Sequence, residues 1–182
     1  MNYLLIEQLS KSYGEKELFS NITFGIDQGS KVALIARNGV GKSSLLNIIT
    51  GKDLPDSGSV TYRKDIRWAY LPQNPEMDDN KPVFDVLFES ENDFIRAIRN
   101  YERVLQQLKH HDTPEIHKEL ETCTNVMESL GAWDYDVRIK EILSRFKITD
   151  LEQITGELSG GQRKKVALAK ALSEETDLRI LD

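Results

Sequence analysis

Residues 36–43 read ARNGVGKS, and they lie between a short apolar run and a segment with helical spacing. The apolar run at 31–36 predicts a buried strand, and residues 42–50 predict a helix. Gly39 and Gly41 allow backbone amides to converge on a phosphate without a side chain in the way. A helix N-terminus adds about half a positive charge at the same point. The stretch therefore predicts a phosphate-binding loop between a strand and a helix.

A second glycine-bearing loop lies far downstream, where residues 158–162 read LSGGQ. Ser159 is placed to cap a helix that runs to about residue 172, and the glycines beside it leave bare backbone N–H groups. The motif is also typical of an ordinary capped helix start, and both interpretations hold if the capped end faces a phosphate. Two such loops in one chain indicate a nucleotide held between two copies of the same surface.

Composition and charge limit the classes of protein that fit this chain. Of the 182 residues, 39% are hydrophobic and 30% are charged, which is typical of a globular domain. The net charge of −6 argues against a surface that binds nucleic acid on all sides. The single cysteine, Cys123, excludes an internal disulfide and indicates a reducing compartment, so we expect a cytoplasmic protein. No apolar run approaches the roughly 18 residues of a membrane span, and the N-terminus lacks a secretion signal.

Turn signals and apolar spacing predict an α/β chain in three segments. These are a β subdomain with the phosphate-loop core at 1–73, a helical subdomain at 74–157, and a helix with a last strand at 158–182. Within the helical subdomain, an amphipathic helical hairpin is predicted at about 93–131, with Thr113 as the N-cap of its second helix and Gly131 as the residue that ends it. The other predicted strands are 3–9, 22–26, 60–62 and 66–71, and a turn at Tyr13-Gly14-Glu15 separates the first two. The other predicted helices are 82–88 and 136–146.

With these motifs in place, the chain resembles the ATPase domain of ATP-binding cassette (ABC) proteins. Residues 36–43 are similar to the Walker A loop, 158–162 to the signature, and 178–182 to the Walker B strand. Gln73 follows a predicted strand and resembles the Q-loop glutamine, while Tyr13 resembles the aromatic residue that stacks on adenine. The resemblance covers the whole chain except the helical hairpin.

The resemblance implies a P-loop NTPase fold that binds MgATP. Lys42 would neutralise the β- and γ-phosphates, and Lys42 and Gln73 are the candidate catalytic residues. Candidate Mg²⁺ ligands are Ser43, Gln73 and, through water, Asp182. Candidate ATP contacts are Tyr13, Ala36 (usually glycine in the family), Arg37, Asn38, Gly39, Val40, Gly41, Lys42, Ser43 and Ser44. The ATP held by a partner cassette would meet Ser159, Gly160, Gly161 and Gln162.

Two kinds of ABC protein remain open. About 85 residues separate Gln73 from residue 158, and the extra helical pair among them resembles the arm of the soluble ABC-F subfamily. ABC-F proteins carry two cassettes in one chain and many bind ribosomes. The implied partners are therefore a second cassette, in the same chain or in a homodimer, and the ribosome or its RNA. The alternative is the energising subunit of a transporter, which meets the membrane only through a separate subunit. We favour ABC-F.

Basic side chains on the predicted hairpin would contact RNA phosphates in the ABC-F interpretation. They are Arg96, Arg99, Arg103, Lys109 and Lys118. Acidic side chains offset them, so a plain solvated hairpin remains an equal alternative. The acidic residues are Glu102, Glu115, Glu119 and Glu121.

The sequence ends on Asp182, where the family continues with a catalytic glutamate and, later, a switch histidine. General-base help contributes about 10²–10⁴ to a rate, so we expect the 182-residue chain to hydrolyse ATP poorly. Family topology places the histidine-bearing strand between the strands at 31–36 and 178–181. We therefore expect the N-terminal part of a longer protein, with a gap in its sheet. Direct pairing of those two strands would contradict this order.

Overall fold

Strand β1 (Asn2–Tyr13) is the centre of a three-stranded antiparallel sheet in the computed structural model, which describes all 182 residues. It pairs with β2 (Lys16–Asp27) on one side and with β3 (Ser57–Tyr62) on the other. Gly14, with a φ of 59°, makes the tight turn between β1 and β2 at the predicted position. The first two strands are longer than the sequence pattern indicated, because they pair with each other along almost their whole length.

The inner face of β1 carries Leu4, Ile6 and Leu9, which are almost fully buried. Leu4 and Ile6 follow simple alternation, and an irregularity around Gln8, where φ is 49°, returns Leu9 to the same face. This face packs against α1 (Lys42–Ile49), the helix predicted after the phosphate loop. The sheet therefore fixes the position of α1 and of the loop that precedes it.

Two further strands, β4 (Trp68–Leu71) and β5 (Leu178–Leu181), form a parallel pair. In this ladder Leu71 lies opposite Leu181. The backbone N–H of Asp182 also donates to the carbonyl of Leu71 at 3.0 Å, which extends the pairing beyond the strand. The pairing fixes the place at which the Asp182 side chain leaves the sheet.

Residues 31–36 do not form the buried strand that their apolar run predicts, so that prediction is wrong. They pair with no strand, and the side chains of Val32, Leu34 and Ile35 are exposed, that of Ile35 to 90%. A strand becomes buried only where a neighbour completes its backbone hydrogen bonds, and β5 pairs with β4 alone. The direct pairing that would contradict the expected strand order is not present.

The chain divides into two compact units, one of Met1–Gln73 with Glu175–Asp182 and one of Asn74–Glu174. The predicted third segment, 158–182, is therefore split between them. Its strand, β5, belongs to the first unit because it completes the parallel pair with β4. Its helix belongs to the second unit because its buried side chains join the core of that unit.

The second unit is helical, and its core is formed by apolar side chains from its five α-helices. These are α2 (Val83–Leu87), α3 (Asp93–His110), α4 (Pro114–Leu130), α5 (Trp133–Phe146) and α6 (Gly160–Ser173). A short 3-10 helix, Thr155–Glu157, precedes α6. No helix in the chain combines the length and the apolar character that crossing a membrane requires.

Helices α3 and α4 form the predicted hairpin, and local sequence signals set the limits of α4. Thr113 caps its start and accepts a hydrogen bond from a backbone N–H, while Gly131, with a φ of 66°, ends it. The next helix, α5, begins earlier than the predicted residue 136. The reason is a packing contact, since Trp133 meets Tyr101 of α3 edge to face with ring centroids 5.1 Å apart.

Candidate nucleotide-binding site

The loop before α1 owes its path to two glycines. Gly39 and Gly41 have φ values of 80° and 97°, in the region that residues with a Cβ rarely adopt. A Cβ on Gly41 would also lie 3.0 Å from the Cβ of Leu18 on β2. Gly41 is the N-cap of α1, and no side chain caps this end of the helix. The first backbone N–H groups of α1 therefore have no side-chain acceptor.

The side chain of Lys42, the first residue of α1, folds back over the loop. Its Nζ donates to the carbonyl oxygens of Ala36 and Arg37, both at 2.9 Å, and lies 3.5 Å from Oδ1 of Asn38. The φ of Ala36 lies outside the left-handed region, so the backbone accepts its methyl group in place of the family's usual glycine. A positive charge is thus held over the loop beside the helix N-terminus.

Ser43 and Asp182 meet although 139 positions separate them in the sequence. The hydroxyl of Ser43 donates to Oδ1 of Asp182 at 3.3 Å. Burial is the main cause that raises the pKa of Tyr70 on β4, and the charge of Asp182 and a hydrogen bond to it raise this pKa further. The pairing of β5 with β4 therefore brings a carboxylate to the start of α1.

These oxygen atoms fit a magnesium ion, which prefers oxygen ligands and keeps several of its waters. Gln73, which follows β4, adds an amide group to the same cavity. No group of three or more His, Cys, Asp or Glu side chains in the chain could hold a metal ion. The donors suit an ion shared with phosphate oxygens and water better than one enclosed by protein.

A cavity of about 560 Å³ connects these groups, and its volume lies within the usual range of small-molecule sites. All the residues that line it belong to the first unit. They are Tyr13, Lys16, Leu18, Asn38, Gly39, Gly41, Lys42, Ser43, Ser44, Gln73 and Asp182. The structure thus brings together most of the candidate ATP contacts and all three candidate Mg²⁺ ligands.

Three candidate ATP contacts do not line the cavity. Ala36 and Arg37 act through their carbonyl groups, which accept hydrogen bonds from Lys42. The side chain of Val40 is exposed at the loop. These three residues belong to the loop, but the neighbouring residues form the wall of the cavity.

Lys16 and Leu18 of β2 line the cavity and were missed by the sequence analysis. Lys16 Nζ donates to the carbonyl of Gly39 at 3.1 Å, so a second ammonium lies beside the loop. The sequence could have indicated both residues, because the turn at Gly14 implies a return strand whose first residues lie beside Tyr13.

Tyr13 is 54% exposed and forms part of the cavity wall. Its hydroxyl donates to Oδ2 of Asp53 at 2.6 Å. This hydrogen bond is the main cause that raises the pKa of Tyr13. The only large aromatic ring of the cavity is therefore fixed at its hydroxyl end.

The signature loop, residues 158–162, lies in the second unit, and it begins α6 with a capping box. Ser159 accepts a hydrogen bond from the backbone N–H of Gln162, while Oε1 of Gln162 accepts from the backbone N–H of Ser159 at 2.9 Å. Gly160 and Gly161 have ordinary φ values, and a Cβ on either would meet nothing within 4 Å. The structure of this chain does not itself require glycine at these two positions.

Comparisons with known proteins agree with this architecture. A 36% identical protein is the uncharacterized ABC transporter ATP-binding protein YfmR of Bacillus subtilis (strain 168), matched over 100% of this chain and 29% of its own length. The energy-dependent translational throttle protein EttA of Mycobacterium tuberculosis (strain H37Rv) is 27% identical over 97% of this chain and 32% of its own length. The chain thus spans about a third of the curated relatives that it matches.

Among solved structures, the ATP-binding subunit of an ABC transporter aligns with a TM-score of 0.65 at 22% identity. The alignment covers 99% of this chain and 65% of that one, which shows the fold of an ABC ATPase cassette. The model of the family described as ABC transporter matches residues 19–182. Since that match takes in most of the sequence, the chain belongs to the ABC transporter family of ATP-binding cassettes.

Proposed function

We propose that this chain binds MgATP in the cavity beside α1 and acts, within a longer protein, as one of two ATPase cassettes that close head to tail. The observation that best supports this is the convergence of the Lys42 ammonium, the Ser43 hydroxyl and the Asp182 carboxylate at one helix N-terminus. A magnesium-bound triphosphate needs these charges and donor types. Members of the family bind ATP, typically with Mg²⁺.

Each group has a separate task in this proposal. The backbone N–H groups at the start of α1 donate to phosphate oxygens, and Lys42 exchanges the loop carbonyls for the β- and γ-phosphates. Bound Mg²⁺ offsets the charge of the triphosphate. Ser43 and Asp182 hold that ion, and Gln73 adds a neutral amide at the same cavity wall. Tyr13, a half-exposed residue of the cavity wall, stacks its ring on the base.

The head-to-tail arrangement is supported by the glycines of the signature loop. Gly160 and Gly161 lie at the first positions of α6, and neither φ value nor local space requires glycine there. Bare backbone at a helix N-terminus allows the closest approach of a phosphate group from outside the chain. We therefore assign these residues to the ATP bound by a second cassette, so that binding closes the pair and hydrolysis reopens it.

For the longer protein we propose an ABC-F type factor that acts in translation. Two observations favour it: EttA is named an energy-dependent translational throttle protein, and helices α3 and α4 form an arm-like hairpin. The hairpin does not offer all its basic residues to RNA, because Arg99 and Arg103 contact the carboxylate of Asp85. Lys109 and Lys118, near the turn of the hairpin, are the better candidates for phosphate contacts.

The second candidate is the energising subunit of a membrane transporter. YfmR is named an ABC transporter ATP-binding protein, and the aligned solved structure is titled as the ATP-binding subunit of an ABC transporter. Both assignments use the same nucleotide site. They differ in what the second unit contacts.

Calorimetry of MgATP binding to the whole protein tests the nucleotide assignment. Lys42→Ala should weaken binding at least tenfold, because it removes the ammonium that faces the phosphates. Lys64→Ala, which removes an exposed lysine in a turn, is the matched control and should bind as the unchanged protein does. Absence of binding heat, or equal binding by the Lys42 variant, contradicts the proposal.

Sedimentation with ribosomes and with membranes separates the two candidates. For an ABC-F factor, the whole protein carrying ATP should pellet with ribosomes. Charge reversal at Lys109 and Lys118 should reduce the bound fraction, and reversal of Lys64 and Arg138, two exposed basic residues outside the hairpin, serves as the matched control. Recovery in a detergent-soluble complex with a membrane subunit, with no ribosome binding, would favour the transporter.

A further inference from the structure

Lys11 is a buried charged residue at the end of β1. Its side chain is one of few polar side chains in the core of the first unit, with 8% of the residue exposed. Its Nζ lies 3.1 Å from Oδ1 of Asp53 and donates to the carbonyl of Leu54 at 2.6 Å, with Asp56 further away at 4.0 Å. A buried ammonium is costly unless it is paired and hydrogen-bonded. The contacts with Asp53 and Leu54 explain how the fold tolerates the charge of Lys11, but they do not explain why a lysine occupies this position.

The carboxylate of Asp53 connects Lys11 to the cavity wall. Its Oδ1 contacts Lys11, and its Oδ2 accepts the hydroxyl of Tyr13 at 2.6 Å. The ammonium of Lys11 also lies 5.0 Å from the centroid of the Tyr13 ring. The ring is therefore held at its hydroxyl by Asp53 and contacted by the charge that Asp53 neutralises.

Asp53 is itself anchored to the helix that follows the phosphate loop. Its backbone N–H donates to the carbonyl of Asn47 in the last turn of α1, at 3.2 Å. Its own Oδ1 accepts the backbone N–H of Leu54 at 2.8 Å, which fixes the side chain. One end of α1 thus carries the phosphate loop, and the other end carries the carboxylate that holds the ring.

We propose that Lys11 and Asp53 are positioning residues for nucleotide binding, which set the Tyr13 ring at a fixed place relative to the phosphate loop. The ligand class is a nucleotide whose flat purine base stacks on that ring. This inference rests on the function proposed above and adds to it how the base end of the site is built. A freely rotating exposed tyrosine would lose entropy on stacking, whereas a ring already held loses less.

The competing explanation is that the cluster only stabilises the fold. A purely structural role would change affinity for every ligand of the loop, or for none. A positioning role changes affinity for ligands that carry a base and leaves the phosphate portion unaffected. Inorganic tripolyphosphate with Mg²⁺ probes the phosphate portion alone, and MgATP probes both.

Binding of these two ligands to the whole protein tests the proposal. In Tyr13→Phe, which keeps the ring and removes the hydroxyl, MgATP affinity should fall about tenfold while tripolyphosphate affinity stays within about twofold. Asp53→Ala should produce the same selective loss, and the double variant should lose no more than either single variant. Thermal melting of each variant checks that it folds, and Tyr13→Phe remains informative if Asp53→Ala does not.

Tyr62→Phe is the matched control. The Tyr62 hydroxyl donates to the carbonyl of Ile49 at 2.9 Å, so this change also removes a tyrosine hydrogen bond at the end of α1, away from the cavity lining. The ratio of the two affinities should be unchanged in this variant. A normal ratio in Tyr13→Phe, or an equal shift in Tyr62→Phe, overturns the positioning role while the nucleotide site stands. Failure of the unchanged protein to bind either ligand overturns both proposals.

Discussion

The two glycine-bearing loops of this chain use the same residue for opposite reasons. In the phosphate loop, Gly39 and Gly41 adopt positive φ values, and Leu18 fills the space that a Cβ on Gly41 would enter. In the signature loop, Gly160 and Gly161 have ordinary backbone angles and open surroundings. Glycine is therefore a requirement of the fold in the first loop, whereas in the second neither the backbone angles nor the local space require it.

Capping shows the same contrast. Helix α1 has no side-chain cap, so its first N–H groups depend on other acceptors. Helix α6 satisfies its own start through the reciprocal bonds of Ser159 and Gln162. The start of α1 thus leaves N–H groups without a side-chain acceptor, whereas the start of α6 is capped by its own side chains.

The largest expected effect comes from Gly41→Ala. The variant should lose about 3 kcal/mol of unfolding free energy, because a Cβ at this φ is strained and also meets Leu18. MgATP binding should be lost as the loop changes path. Urea unfolding measures the first effect and calorimetry the second.

The control for this variant is the pair Gly41→Ala with Leu18→Ala. It removes the contacts with Cγ and Cδ1 of Leu18 and keeps both the contact with its Cβ and the backbone strain, so only part of the stability should return. If Gly41→Ala unfolds with the same free energy as the unchanged protein, the fold does not require glycine in the phosphate loop, and the contrast with the signature loop is wrong.

The next effect concerns the cap of the second loop. Ser159→Ala should destabilise the chain by about 1 kcal/mol, because the backbone N–H of Gln162 at the start of α6 loses its acceptor. Ser43→Ala at the start of α1 removes a serine that caps nothing and whose hydrogen bond to Asp182 is exposed to solvent, so the unfolding free energy in urea should change by less than about 0.5 kcal/mol. Equal losses in the two variants would remove the contrast in capping.

Gly161→Ala should change stability least among the loop variants. Alanine is the better helix former, so the unfolding free energy should stay equal or rise by up to about 1 kcal/mol. ATP-dependent pairing of cassettes should nevertheless be lost, since the added methyl group occupies the surface reserved for the partner's nucleotide. Cross-linking of the whole protein with and without MgATP measures this separation, and normal pairing would contradict it.

The smallest effect is a pH dependence in the second unit. Glu89 accepts a hydrogen bond from Lys81 at 2.8 Å and lies 3.5 Å from Lys170 of α6, and these contacts lower its pKa below the ordinary 4.5. A lowered pKa stabilises the folded state at pH values above the ordinary pKa, and this contribution is lost as the pH falls through the folded value.

Glu89→Gln should therefore narrow the difference in unfolding free energy between about pH 6 and pH 3. Urea unfolding at the two pH values measures it. Lys52, whose ammonium lies over the ring of Tyr70 in the first unit, offers Lys52→Gln as a control that should not alter the acid dependence. An unchanged difference in Glu89→Gln would show that this contact contributes nothing to α6.

Local chemistry decided which parts of the structure could be predicted. The Thr113 cap, the Gly131 stop and the turn at Gly14 each depend on a few neighbouring residues, and all three are confirmed. The family resemblance, which rests on short motifs, predicted the cassette fold that the comparisons show. The assignment of residues to ATP and Mg²⁺ stays a prediction.

What could not be predicted depends on distant contacts. The bonds of Asp53 to Lys11 and Tyr13 join positions about forty apart, and no local pattern announces them. The apolar run at 31–36 has the composition of a buried strand, and its state is set by whether another strand lies beside it. Sequence periodicity shows which side chains a segment can bury, but it does not show whether a second strand lies beside that segment.

That same run has a practical consequence for handling the 182-residue chain. A segment that pairs with no strand and exposes Val32, Leu34 and Ile35 offers a surface with which a strand of another molecule can pair. At the concentrations used for crystallisation or spectroscopy, the chain should self-associate through residues 31–36. Ile35→Lys should keep the chain monodisperse in light scattering and leave the phosphate loop intact.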